Sequence, residues 1–149
     1  MSDFDDRLAQ WERLIGRFVL AFGEIELLTF MLWRHYGLAQ VPSHNFKERA
    51  GVILTRLRAD ATNLSMLVPL LEQSLRLADK RNAVAHHPIC AQVFRHTRTG
   101  ELLIEMAVQS QTNDEYITDQ ELAALGDQTR DLAFQMYSLF HPNAAAPAA

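Results

Sequence analysis

The sequence predicts an all-α fold, a compact four-helix bundle with a β-hairpin inserted between the third and the last helix. Three observations predict the helices and the hairpin. Apolar residues recur every three or four positions, glycine or proline follows several of these segments, and one region changes to short apolar runs joined by a turn. The chain has 149 residues, and domains cluster at about 100–150 residues. We therefore expect a single domain over residues 1–141 and a disordered tail over residues 142–149.

The first two helices are predicted from their apolar periodicity. Residues 5–36 form the first helix, with Gly37 as its C-cap, and residues 46–60 form the second, with Asn45 or Ser43 as the capping residue. The apolar stripe of the first helix consists of Leu8, Trp11, Ile15, Phe18, Phe22, Ile25, Leu28 and Leu32.

Proline marks both ends of the third helix. Residues 61–86 are mostly helical by pattern, and Pro69 predicts a break near Leu67, because proline is best tolerated in the first turn of a helix. Pro88 then ends the segment. We expect the third helix to run from about residue 67 to about residue 85.

The last third of the chain contains a hairpin and a helix. Residues 89–109 hold two short apolar runs joined by a turn that contains Gly100, which is typical of a β-hairpin. Thr118 and Glu121 have the spacing of a capping box. They predict a last helix from residue 118 to about residue 140.

Composition excludes several classes of protein. The chain is 48% hydrophobic and 21% charged, which is ordinary for a globular protein and excludes wholesale disorder. Its single cysteine cannot form an internal disulfide and fits a reducing compartment. The first residues are acidic, whereas a signal peptide begins with basic residues. Residues 18–33 contain two glutamates and are too short to cross a bilayer. We therefore expect a cytoplasmic protein with no membrane partner.

The net charge of −4 is distributed unevenly. Residues 1–46 carry four basic and six acidic residues, residues 47–100 carry nine basic and four acidic, and residues 101–149 carry one basic and eight acidic. The middle segment therefore has a net charge of +5 within an acidic chain. Such a segment predicts either a local positive surface or a set of solvated helix faces, and the sequence leaves both interpretations open.

Three residues near the end of the third helix have the chemistry of RNA cleavage. Arg81, Asn82 and His86 lie directly before the proline. Basic residues are also favoured at a helix C-terminus by the macrodipole, so a lone arginine and histidine would mean little. Cleavage of an RNA phosphodiester, however, needs a group that moves a proton and a fixed cation on the phosphate. Histidine titrates near neutral pH, and arginine grips phosphate with a planar fork.

The spacing of these three residues adds a geometric constraint. Asn82 and His86 are four residues apart, so they share a helix face and the amide can orient the imidazole. Arg81 and His86 are five apart, which separates them by about 140° around a helix. Both meet one phosphate only if the helix loosens at His86, or if a two-fold axis brings two copies of the segment together. The second solution predicts an isologous homodimer with a shared cleft.

Residues 81–86 resemble the R-x4-6-H signature of the HEPN superfamily (higher eukaryotes and prokaryotes nucleotide-binding domains), including its frequent polar residue after the arginine. The order of helices, with the motif at the end of the third, is similar to the family's helical bundle. The resemblance implies a ribonuclease that needs no metal or other cofactor and cleaves single-stranded RNA by attack of the 2′-hydroxyl. It further implies a toxin or defence effector, a homodimer with the motif at the interface, and a cognate antitoxin. Arg81 and His86 would be catalytic, and Asn82 would support them.

Two groups of residues are predicted to assist this motif. Glu26 lies beside the apolar stripe of the first helix, and it either approaches Arg81 or His86 or reaches solvent from the helix edge. Lys80 and His87 are further supporting candidates. Neighbouring histidines diverge by about 100° on a helix, so His86 and His87 do not predict a metal site.

A basic set is predicted to track the RNA backbone: Arg76, Arg95 and Arg98, two of them near the hairpin tip. Charge at a hairpin tip can equally protect a sheet edge from pairing. The alternative function is a catalytically inactive HEPN-like module, a homodimer that binds RNA, a nucleotide or a protein. A structural helical dimer with no nucleic-acid role is the third hypothesis.

Overall fold

Four α-helices and a small antiparallel sheet make up the fold. The computed structural model describes residues 3–87, 89–109 and 115–141. The α-helices are α1 (Asp3–His35), α2 (Phe46–Arg58), α3 (Leu67–His86) and α4 (Asp119–Phe140). The sheet has the order β1-β2-β3, with β1 (Ile89–Arg95), β2 (Leu102–Gln109) and β3 (Tyr116–Thr118), and a 3-10 helix (Asn63–Met66) precedes α3. Four predicted helices and the predicted hairpin are confirmed. Pro88 and the predicted disordered tail lie outside the described residues.

The connection between α1 and α2 runs back along α1. The indole N–H of Trp33 donates to the carbonyl of Gln40 at 2.9 Å, and the rings of Phe22 and Phe46 meet edge to face with centroids 5.0 Å apart. The first residue of α2 therefore lies beside the middle of α1. This return brings side chains of α2 into the centre of the bundle.

Ion pairs show the direction in which α3 runs. Lys47 near the start of α2 pairs with Asp79 near the end of α3 at 2.6 Å, and Arg58 at the end of α2 pairs with Glu72 at 2.8 Å. The two helices are therefore antiparallel. The end of α3 consequently lies at the same end of the bundle as the start of α2.

The hydrophobic core has two parts. The larger part lies among the four helices, and six residues of the predicted α1 stripe are fully or almost fully buried, whereas Leu8 and Ile15 are half-buried. The smaller part joins the base of the sheet to α1, α3 and α4, through Trp11, Phe18, Val84, Val108, Ile117 and Leu122. The base of the hairpin is thus part of the domain core.

Local capping signals act as the sequence predicts. The Thr118 side chain accepts a hydrogen bond from the N–H of Glu121, whose carboxylate accepts from the N–H of Thr118. Gly100 adopts a φ of +73° in the hairpin turn, a conformation that favours glycine. Strand β3 was not predicted, because three residues are too few for an alternating pattern to be recognised.

The predicted end of α2 at residue 60 is wrong by two residues. Asp60 accepts hydrogen bonds from the N–H and the hydroxyl of Thr62, which form a turn in place of further helix. The hydroxyl of Tyr36 also donates to Asp60 at 2.7 Å and ties this turn to the end of α1. Among the described residues, none of the helices is both long and apolar enough to cross a membrane.

Asp60 makes the stability of this end of the bundle dependent on pH. The hydrogen bond from the Thr62 hydroxyl, followed by that from Tyr36, lowers the pKa of Asp60. A lowered folded pKa stabilises the fold above the unfolded pKa of about 3.9, and this contribution is lost as the pH falls through the folded pKa. We expect Asp60→Asn to flatten the fall of unfolding free energy below pH 4, measured by urea titration. Asp127→Asn is the control, and an equal fall in wild type and Asp60→Asn would contradict the prediction.

Candidate active site

The centre of the site is an ion pair between α3 and α1. Arg81 donates from Nη2 to Glu26 Oε1 at 2.6 Å, and the side chains are 20% and 31% exposed. The Arg81 guanidinium also lies over the ring of Phe22, 4.9 Å from its centroid. The predicted approach of Glu26 to Arg81 is present, and Glu26 is not simply a solvated residue at the helix edge.

The Nε of Arg81 is buried without a hydrogen-bond partner. It is the only buried side-chain polar atom within residues 3–87, 89–109 and 115–141 that lacks one. Buried donors in native proteins are usually paired, so an unpaired one needs an explanation. The guanidinium is thus anchored to Glu26 through one nitrogen, while its buried Nε has no hydrogen-bond partner.

Arg49 is the residue that the sequence analysis missed. It is 1% exposed, and its Nε donates to the hydroxyl of Thr29 at 2.7 Å while Nη1 donates to the carbonyl of Ser43. Its guanidinium lies over the ring of Phe30, 3.8 Å from the centroid. The available signal was its position three residues after Phe46, on the apolar side of α2.

The three charged side chains influence one another electrostatically. Burial is the main cause that lowers the pKa of Arg49, the charge of Arg81 adds to this effect, and the charge of Glu26 opposes it. The Thr29 hydroxyl accepts from Arg49 and donates to the carbonyl of Glu26 at 2.6 Å, which connects α2 to the backbone beside the carboxylate. Two arginines and one glutamate leave this cluster with a net positive charge, which favours an anion.

His86 lies exposed at the end of α3 and does not leave the helix. The N–H of His87 still donates to the carbonyl of Ala83 at 3.0 Å, so the last turn is helical. The helix therefore does not loosen at His86, and the first of the two predicted ways to bring Arg81 and His86 to one phosphate is wrong. The two residues remain about 140° apart around α3.

Asn82 is exposed on the same face of α3 as His86. Within the described ranges, neither side chain takes part in a hydrogen bond with the other. Their shared face is as predicted, whereas the orienting contact is not formed in this structure.

The other candidate residues are scattered. Lys80 forms an ion pair with Glu115 just before β3, and His87 is half-buried as the C-cap of α3. Arg76 is exposed on α3. Arg95 is the last residue of β1 and Arg98 lies in the hairpin turn; both are exposed, about 20 Å from the hairpin base. The structure does not bring the three proposed RNA-binding arginines into one continuous patch.

Ion pairs also reduce the positive surface of the middle segment. Lys47, Arg58, Lys80 and Arg81 each pair with a carboxylate, and Arg49 is buried. Much of the positive excess of residues 47–100 is therefore compensated by acidic side chains or withdrawn from the surface.

The charge balance of the cluster predicts a cost for neutralising its only carboxylate. Glu26→Gln removes the counter-charge of two arginines, one of them fully buried, so we expect a loss of about 1–2 kcal/mol of unfolding free energy. Because Arg49 shares this carboxylate electrostatically, the loss should be smaller in an Arg49→Met background. Denaturant titration of the double-mutant cycle measures this coupling, with Glu24→Gln as a control. Equal losses in both backgrounds would contradict a shared counter-charge.

Comparison with known proteins found no match. No family model, no curated protein and no solved structure matches the chain. The resemblance to the HEPN superfamily therefore depends on the motif in α3 and on the order of the helices.

Proposed function

We propose that the chain is a HEPN-type endoribonuclease that cleaves single-stranded RNA without a metal ion. One observation carries the proposal: α3 holds an arginine anchored on a carboxylate of α1 and, five residues later, an exposed histidine. The first residue is a fixed cation that is still partly exposed, and the second is exposed and can reach a substrate. These are the two groups that cleavage of a phosphodiester needs.

The reaction is an internal displacement at phosphorus. The 2′-oxygen loses its proton to a base and bonds to phosphorus, while the bond from phosphorus to the 5′-oxygen breaks and that oxygen takes a proton. The products are a 2′,3′-cyclic phosphate and a 5′-hydroxyl. His86 carries one of the two proton transfers, and Arg81 stabilises the negative charge on the non-bridging oxygens. Glu26 acts as a positioning residue for Arg81.

The proposed site requires a homodimer with the motif at the interface. Because α3 stays helical through His86, the two side chains of one copy leave the helix on different sides. A second copy solves this problem by presenting its own His86 to Arg81. Leu20 and Leu27 are both exposed on one face of α1, seven residues apart, and offer an apolar surface for contact between copies.

A cleavage assay in EDTA tests the activity. Purified protein should cleave single-stranded RNA to cyclic-phosphate ends, and Arg81→Ala or His86→Ala should each lower the rate about 100-fold or more, because each removes a group needed in the transition state. Arg56→Ala and His44→Ala, at exposed positions elsewhere, are matched controls. Cleavage that persists in both motif variants would contradict the proposal.

Mixing the two inactive variants tests the shared site. If Arg81 of one copy works with His86 of the other, mixed dimers of Arg81→Ala and His86→Ala keep one intact site of two. Random exchange should then restore about a quarter of the wild-type rate. No recovery, with exchange verified by differently tagged chains, would contradict a site built from two copies.

The second candidate is an inactive HEPN-like module that binds RNA, a nucleotide or a protein. The observations that favour it are the compensation of Arg81 by Glu26 and the missing contact between Asn82 and His86. RNA binding without cleavage in the same assay supports this candidate. Growth arrest on expression, relieved by His86→Ala, supports a toxin or defence role with a cognate antitoxin.

A further inference from the structure

The outer edge of β1 pairs with no strand among residues 3–87, 89–109 and 115–141. The sheet order β1-β2-β3 puts β1 at one side, and among the described residues β2 is its only strand partner. An edge strand presents a row of N–H and C=O groups that can pair with another strand. The edge of β1 is seven residues long, from Ile89 to Arg95.

The hydrogen-bond pattern shows which groups point outward. The N–H of His96 donates to the carbonyl of Glu101, its direct partner in the hairpin, at 2.8 Å. Hydrogen-bonded and non-hydrogen-bonded pairs alternate along an antiparallel ladder. Gln92 is four residues before His96, so its N–H and C=O groups also bond to β2. Ala91 and Val93 therefore direct their N–H and C=O groups to the open edge.

The outer half of the hairpin is also apolar on both faces. Val93 faces Ile104 and Phe94 faces Leu103 across the hairpin, on opposite sides of the sheet. These four side chains and Leu102 are 46–62% exposed. Exposed apolar groups clustered in this way mark a surface for interaction.

Strand β1 lacks the features that normally block edge pairing. Residues Ile89–Arg95 contain no proline and no lysine, and their register with β2 continues without a bulge. The only charge is Arg95, at the end of the strand. The edge is therefore a suitable template for a further strand.

We propose that β1 pairs antiparallel with the β1 of a second copy, about a two-fold axis at Gln92. In this register all seven residues of β1 overlap with the β1 of the second copy. Ala91 lies opposite Val93 of the second copy, so the outward-pointing N–H and C=O groups of the two strands can form hydrogen bonds. It places Ile89 opposite Arg95, so that no like charges face each other. A second copy is thus the occupant that fits this edge by hydrogen bonding, apolar faces and charge.

The β1 contact produces a six-stranded sheet with both helical bundles on the same side. The two-fold axis is perpendicular to the sheet, so corresponding faces of the two copies lie on the same side of the joined sheet. The face that carries Val108 packs on the bundle, so both bundles lie on that side. The two Ile89 residues lie about 20 Å apart, because six residues of extended strand separate them. This contact is therefore separate from the proposed contact between motifs, and it does not depend on RNA cleavage.

A single cysteine on the axis tests the register. In this pairing Gln92 faces Gln92 of the second copy as a non-hydrogen-bonded pair, with Cα atoms about 4.5 Å apart, which is within the range of a disulfide. Cys90→Ala combined with Gln92→Cys should yield mostly disulfide-linked dimer under mild oxidation. Cys90→Ala combined with Arg98→Cys, at the tip of the same hairpin, is the control. Cross-linking at position 92 that does not exceed the control would overturn the proposal.

A proline at the open edge tests the association. Ala91→Pro removes an N–H that β2 does not use, so the hairpin stays paired while the edge is blocked. We expect the mass from light scattering to fall to half the wild-type value, whereas Ala91→Val keeps it. An unchanged mass, or a monomeric wild type, would overturn the proposal. If Ala91→Pro unfolds, as judged by circular dichroism, the cysteine experiment decides.

Discussion

Charge compensation inside the bundle is the constraint on which the relative placement of three helices depends. Arg49 from α2 is fully buried, and Glu26 from α1 and Arg81 from α3 are partly buried beside it, where an isolated charge is costly. Moving any one helix away leaves an arginine or the glutamate without its counterpart. Apolar contacts can slide or repack at modest cost, whereas hydrogen bonds and ion pairs fix distance and direction. The cluster therefore selects one arrangement of helices that apolar packing alone would not specify.

The sequence was most informative where structure is determined locally. The capping box at Thr118, the turn at Gly100 and the break before Pro69 each involve residues close in sequence, and each defines an element boundary within a residue or two. The contact of Glu26 with Arg81 was also predictable, because a carboxylate beside an apolar stripe needs a partner. Arg49 was not, since its burial depends on the connection after α1 running back along that helix. No periodic pattern of apolar residues indicates that a connection runs back along the helix before it.

Surface charge shows the same limit of sequence reasoning. Counting residues gives the middle segment a net charge of +5, but the count does not say which acids fold onto it. The pairs Lys80–Glu115 and Arg81–Glu26 join residues 35 and 55 positions apart, and they compensate charges at the centre of the motif. A positive segment therefore becomes a restricted site rather than a broad basic face. In the proposed function, such a site selects an anion by position more than by long-range attraction, because screening weakens attraction between distant charges.

The two proposed contacts between copies differ in the positional accuracy that they require. The contact between motifs must bring Arg81 and His86 to one phosphate, which demands positions accurate to a fraction of an ångström. The β1 contact requires only that two strands align in register, because the backbone supplies the same N–H and C=O groups whatever the side chains are. Two distinct two-fold contacts form a closed assembly when their axes intersect at an angle that closes the ring, and an open chain otherwise. Because the β1 contact keeps the two α3 ends about 20 Å apart, the two contacts cannot join the same pair of copies. A chain that forms both therefore builds an assembly of at least four copies, in which each bundle meets one partner through its motif and another through its sheet.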